Sequence, residues 1–127
     1  KLPNLVILDL SGNQITELTI SLVNAENIEE INLSNNKISK IESSFFDSKK
    51  LAKLDLSNNQ ISLLPAGIDK LSRLKELNLE GNKLTNLPAD ITKITKLEQL
   101  NLRKNNFTDK EIDDITSKLS KDIKIRF

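Results

Sequence analysis

An asparagine recurs every 23 residues, at Asn13, Asn36, Asn59, Asn82 and Asn105, and each stands ninth in an eleven-residue frame of apolar positions. The five frames are LVILDLSGNQI from Leu5, IEEINLSNNKI from Ile28, LAKLDLSNNQI from Leu51, LKELNLEGNKL from Leu74 and LEQLNLRKNNF from Leu97. A period of this length marks one small unit stacked on copies of itself, each covering the flat sides of its neighbours. The fourth and sixth frame positions are apolar around a polar fifth, as in Leu54-Asp55-Leu56 and Leu77-Asn78-Leu79. That alternation is the period of a short strand with one buried face, and stacking pairs such strands in parallel. The return half of the repeat carries Ile61, Leu64, Ile68 and Leu71, then Leu84, Leu87, Ile91 and Ile94, which close the coil. Burying each of these side chains is worth roughly 1.5–3 kcal/mol, enough to offset chain ordering only when neighbouring rungs are present.

The frame L-x-x-L-x-L-x-x-N-x-L resembles the leucine-rich repeat, and Leu64-Pro65 and Leu87-Pro88 extend it to a motif resembling the family's 23-residue class. That class is found in cytosolic Ras-pathway scaffolds, plant intracellular proteins and small bacterial proteins of Leptospira-like spirochaetes. The resemblance implies an α/β repeat solenoid, a right-handed coil with about six short parallel strands on its concave face. It further implies irregular or 3-10 segments on the convex side and a C-terminal capping helix plus strand. The asparagines then form a structural ladder that satisfies buried backbone where the chain leaves each strand. Repeats 1 and 2 depart from the pattern, with Thr19 and Glu42 at the proline position and Ala25 and Ser48 where Leu71 and Ile94 stand later. Phe45 occupies the Ile68 slot, and Phe46 is expected to fill the volume vacated at Ser48; the sharper alternative makes Phe46 an exposed ligand anchor.

The chain reads as a single repeat domain, 1–127, with frames starting at 5, 28, 51, 74 and 97 and a C-terminal cap over 108–127. Thr108-Asp-Lys-Glu111 has the form of a helix N-cap box ahead of Ile112, Ile115 and Leu119 on one helical face. Ile123 and Ile125 fall 23 residues beyond Leu100 and Leu102, which predicts a sixth strand whose Lys124 and Arg126 discourage edge-to-edge pairing. At the other end Leu2 falls in the slot of Leu71 and Ile94, and Val6 and Ile7 are apolar where later repeats are mostly polar. An uncovered end is implied, from which a cap or further rungs have been removed, or which packs on a partner or a second copy.

With no histidine and no cysteine, thiolate nucleophiles, Cys/His zinc sites, Ser/His/Asp constellations and disulfides are excluded by inventory. Asp113-Asp114, Glu29-Glu30 and Asp9 with Asp55 are the carboxylate groupings of interest, and none forms a paired acid and base. The three glycines, 12, 67 and 81, are too scattered to cradle a phosphate. No catalytic residue, metal or cofactor is therefore assigned. Nineteen basic against 18 acidic side chains give a net charge of +1, which points to neither nucleic acid nor a membrane surface.

Frame positions three, five and seven are expected to face outward in three stripes: Ile7 through Asp122, Asp9 through Lys124, and Ser11 through Arg126. A protein or peptide partner is placed on this face, with Glu30, Lys53, Asp55, Glu76 and Asn78 at its centre and Arg103 and Arg126 meeting an acidic group. The functional expectation is a non-enzymatic interaction protein, monomeric unless its first rung mediates end-to-end association. Resemblance to the spirochaete proteins implies an exported bacterial protein that engages host surface proteins, with a cytoplasmic location as the alternative. The competing reading is a recognition segment of a larger signalling or receptor protein.

Overall fold

The computed structural model describes residues 4–127, so Leu2 and its expected slot lie outside the described residues. The alternating segments form strands β1 (Ile7–Asp9), β2 (Glu17–Leu18), β3 (Glu30–Asn32), β4 (Lys40–Ile41), β5 (Lys53–Asp55), β6 (Glu76–Asn78), β7 (Gln99–Asn101) and β8 (Lys124–Arg126). Six of them make one parallel sheet in the order β1-β3-β5-β6-β7-β8. Through β7 the register advances by one repeat per strand, pairing Leu8 with Ile31, Ile31 with Leu54 and Leu54 with Leu77. The apolar fourth and sixth positions point inward together: Ile31, Leu33, Leu54, Leu56, Leu77, Leu79, Leu100 and Leu102 are all buried. The expected solenoid is the observed architecture.

Short 3-10 segments, Leu22–Asn24, Ser43–Phe46, Ile68–Lys70 and Ala89–Lys93, form the opposite side and insert Leu22, Phe45, Ile68 and Ile91 into the core. Contacts at repeat spacing tie them together. Lys70 Nζ meets Asp47 Oδ1 at 3.0 Å, Lys50 Nζ meets Asn27 Oδ1 at 2.7 Å, and the Gly67 N–H donates to Asp90 Oδ2 at 2.5 Å.

A second, two-stranded parallel sheet of β2 and β4 has no counterpart in the sequence reading. Its chemistry lies in the departures from the proline motif. The Glu42 N–H donates to Leu18 O at 2.9 Å, and the residue one repeat later is Pro65, which has no N–H to continue the ladder. The extra sheet ends where the prolines begin.

Phe45 and Phe46 are both buried, with 1% and 0% exposure, and their rings meet edge to face at 6.2 Å. Phe46 is therefore a core residue rather than an exposed anchor, and Ser48 is buried as well.

At the C-terminal end α1 (Asp109–Lys118) starts where the cap box placed it, and Thr108 Oγ1 accepts from the Glu111 N–H at 3.3 Å. Ile115 and Leu119 are buried and Ile112 is half-buried. The sixth strand needs correction. Ile125, not Ile123, pairs with Leu100, so Lys124 stands beside Gln99 and Arg126 beside Asn101. The helix and the turn after it consume two more residues than a 3-10 return does, and a shift of two preserves which side chains face inward. Consequently the first outward stripe ends at Lys124 rather than Asp122, and the second at Arg126 rather than Lys124.

Candidate functional site

The buried asparagines hold the exposed face in shape. The Asn59 amide donates to Leu56 O and Ser57 O of its own rung at 3.0 and 3.1 Å, and to Leu33 O of the preceding rung at 3.0 Å. Its Oδ1 accepts the Ile38 N–H at 3.0 Å. Asn36, Asn82 and Asn105 repeat the arrangement, accepting from Ile15, Ile61 and Leu84. Each side chain thus bonds two successive rungs and uses both donors and its acceptor. Asn13 is exposed, and among the described residues its amide bonds only Leu10 O and Ser11 O within its own rung.

One residue earlier, the eighth frame position is left-handed in every rung: Gly12, Asn35, Asn58, Gly81 and Lys104 have φ between 55° and 71°. Glycine and asparagine are the residues that tolerate this conformation, which accounts for the recurring Gly-Asn and Asn-Asn pairs. At Gly81 a Cβ would also run into the Asn58 side-chain oxygen.

The fifth position carries a second asparagine and aspartate series. Asp9, Asn32, Asp55, Asn78 and Asn101 each accept the N–H of the residue two places on, at 2.9–3.1 Å. These are Asx turns that bend the chain off the sheet. The third stripe is corrected as a result. Ser34 and Ser57 are buried within that bend, and Ser57 Oγ donates to Asp55 Oδ1 at 2.6 Å, so position seven does not form an open surface stripe there.

Two columns remain on the concave sheet: Ile7, Glu30, Lys53, Glu76, Gln99 and Lys124, and beside them Asp9, Asn32, Asp55, Asn78, Asn101 and Arg126. From β3 to β8 they line a shallow concavity of about 320 Å³. It brings together Glu30, Lys53, Asp55, Glu76, Asn78 and Arg126, whereas Arg103 is exposed outside it. Lys53 Nζ sits between Glu30 at 3.6 Å and Glu76 at 4.0 Å. Asn78 Nδ2 donates to Asp55 Oδ2 at 3.5 Å, and Asn101 Nδ2 to Glu80 Oε2 at 2.9 Å. That bond from Asn101, reinforced by Lys104 and Arg103, holds the Glu80 carboxyl below its usual range against partial desolvation. The Ser11 hydroxyl and N–H do the same for Asp9.

The sequence reading places Gln99, Asn101 and Lys124 on the outward stripes but does not name them among the contacting residues. The column to which Lys124 belongs required the C-terminal register. Asp113 and Asp114 are exposed on α1. Among the described residues no three carboxylates converge where they could hold a metal ion, and no helix is long and apolar enough to cross a membrane.

Family profiles described as leucine rich repeat match residues 3–61, 26–84 and 93–110. No curated protein matches the sequence. Among solved structures, a leucine-rich repeat protein of Leptospira interrogans is similar at 36% identity and a TM-score of 0.87, over 93% of this chain and 30% of that one. An internalin of Listeria monocytogenes is 29% identical with a TM-score of 0.73, over 97% of this chain and 35% of its own. A chain of the Toll–Spatzle complex of Drosophila is 28% identical with a TM-score of 0.75, over 83% of this chain and 14% of its own. The chain thus spans about a third or less of the length of these neighbours.

Proposed function

The chain belongs to the leucine-rich repeat family, and from that premise we propose that it is a non-enzymatic recognition module, 1–127, that binds a protein or peptide partner on its concave sheet. The observation that carries this reading is the pair of outward-facing columns on the parallel sheet, polar throughout from β3 to β8 and lining one concavity. Such a surface is held rigid by the asparagine ladder beneath it, so a partner loses little binding energy to ordering the site. Six strands at about 4.8 Å spacing present roughly 24 Å, the width of a loop, a helix or an extended peptide. The contacting residues proposed are Glu30, Lys53, Asp55, Glu76 and Asn78, with Arg103 and Arg126 toward the C-terminal side. Likeness to the Leptospira protein and the Listeria internalin supports a bacterial origin, and the proposal extends this to an exported protein whose partner is a host surface protein. Association between whole proteins in the Toll–Spatzle complex supports the recognition role.

A second reading is favoured by the length ratios: the chain acts as the recognition segment of a longer signalling or receptor protein. The test for both is capture of partners from host-surface and cytosolic extracts, with a control carrying Glu30→Lys, Lys53→Glu, Glu76→Lys and Arg103→Glu together. A partner held by the native protein and bound at least about tenfold more weakly by the control is the expected result, since like-charge juxtaposition across an interface costs several kcal/mol. The extract that yields it distinguishes the two readings, and equal retention by the control removes the concave face from the account.

A further inference from the structure

The concave face is electrically two-ended: carboxylates outnumber cations at one end, and two cations without an ion pair among the described residues stand at the other. Along the first column Lys53 is already shared between Glu30 and Glu76. Asp9 and Asp55 make no ion pair among the described residues, so β1 to β6 present four carboxylates on the two columns against one lysine. A neutral row follows, Gln99 and Asn101 on β7. Then β8 presents Lys124 and Arg126, which share one face and likewise make no ion pair among the described residues. Two like charges one pleat apart, roughly 7 Å, repel each other unless something negative lies over both.

We infer that the occupant of this face is an extended peptide segment with separated charges, a carboxylate side chain lying over Lys124 and Arg126 and a cationic side chain over Asp55 and Glu76. This rests on the concave-face reading and deepens it. The two poles are two to three strand steps apart, roughly 10–14 Å, which an extended chain crosses in about three to four residues. The columns contain one apolar side chain, Ile7, so they offer no floor for the apolar stripe of a docked amphipathic helix. A polyanion such as nucleic acid would meet the carboxylate half as well as the cations. A dipolar peptide alone satisfies both ends at once, and it is aligned by them.

The competing account gives Lys124 and Arg126 only the task of keeping β8 from pairing with another chain. A nitrogen-15 amide NMR titration separates the two, using the capped probe Lys-Lys-Ser-Gly-Ser-Gly-Asp-Asp and two versions with either the aspartates changed to asparagine or the lysines to glutamine. The dipolar probe is expected to shift amides of β5, β6 and β8 and, at low ionic strength, to bind about fivefold or more tighter than either control. The variant K124E/R126E is expected to lose the preference for aspartate over asparagine. If concave shifts persist in that variant with the preference intact, the inference falls while the concave-face reading stands. Shifts confined to the convex side or α1 overturn both, and no shift at millimolar probe overturns the inference. Self-association of K124Q/R126Q with probe binding unchanged assigns the pair to edge protection and overturns it as well.

Discussion

Asn59→Ala is expected to destabilise the protein by about 3–4 kcal/mol, because it strips partners from buried backbone on two rungs at once. The Ile38 N–H loses its acceptor, and Leu33 O and Leu56 O lose an amide donor, in surroundings where Ile38, Leu33 and Leu56 are at most 2% exposed. Leu33 O keeps the Asn36 amide and Leu56 O keeps the Asn82 amide, so the Ile38 N–H is the group left unsatisfied, at a cost of about 1–3 kcal/mol, with the weakened carbonyls adding to it. The lesion is also central, between rungs that contact only their neighbours, so it weakens the coupling on which cooperative unfolding depends. Urea denaturation followed by circular dichroism measures it, and a broadened or two-step transition is expected alongside the loss. Asn13→Ala is the internal control. Its amide bonds one rung only and is exposed, so its cost is expected below about 1 kcal/mol. Equal costs at the two positions would remove the ladder from the account of stability.

The second large effect is expected at Phe46. Truncation to alanine empties a fully buried site in the rung where the core residue of later repeats is replaced by Ser48, and the expected cost is about 3–5 kcal/mol. If the ring does occupy volume that Ser48 vacates, Phe46→Ala and Ser48→Leu must couple. Ser48→Leu alone overpacks the native core and costs about 1–3 kcal/mol, yet in the Phe46→Ala background it is expected to recover part of the loss. A double-mutant cycle in denaturant reads the coupling directly. Strict additivity would mean that the two side chains fill separate spaces and that the departure from the repeat has another basis.

These two positions also mark what the sequence made legible and what it did not. Leu54 and Leu56 are placed by spacing, because burial acts on every repeat alike and leaves a period, whereas the ladder role of Asn59 follows from the family resemblance and Thr108 from its N-cap box. The turn chemistry was harder. Asp55 and Asn78 read as surface residues from their polarity, but each also accepts a backbone N–H that bends its chain, a role that becomes visible only when the path after the strand is known. Ser34 and Ser57 were misread for the same reason. At the C-terminal end a 23-residue count placed Ile123 opposite Leu100, but α1 and its turn need two residues more, and hydropathy is blind to a shift of two. The β2–β4 sheet is legible in principle, because a residue other than proline at position 42 keeps the N–H that its backbone ladder needs.

The concave-face account is tested most directly by carboxyl footprinting of the protein alone and with its captured partner. Labelling of Glu30, Asp55 and Glu76 is expected to fall when the partner is bound, while labelling of Asp69, Asp90, Asp113 and Asp114 stays unchanged. Protection of the second group with the first still fully reactive would contradict the account and place recognition on the convex side or the capping helix.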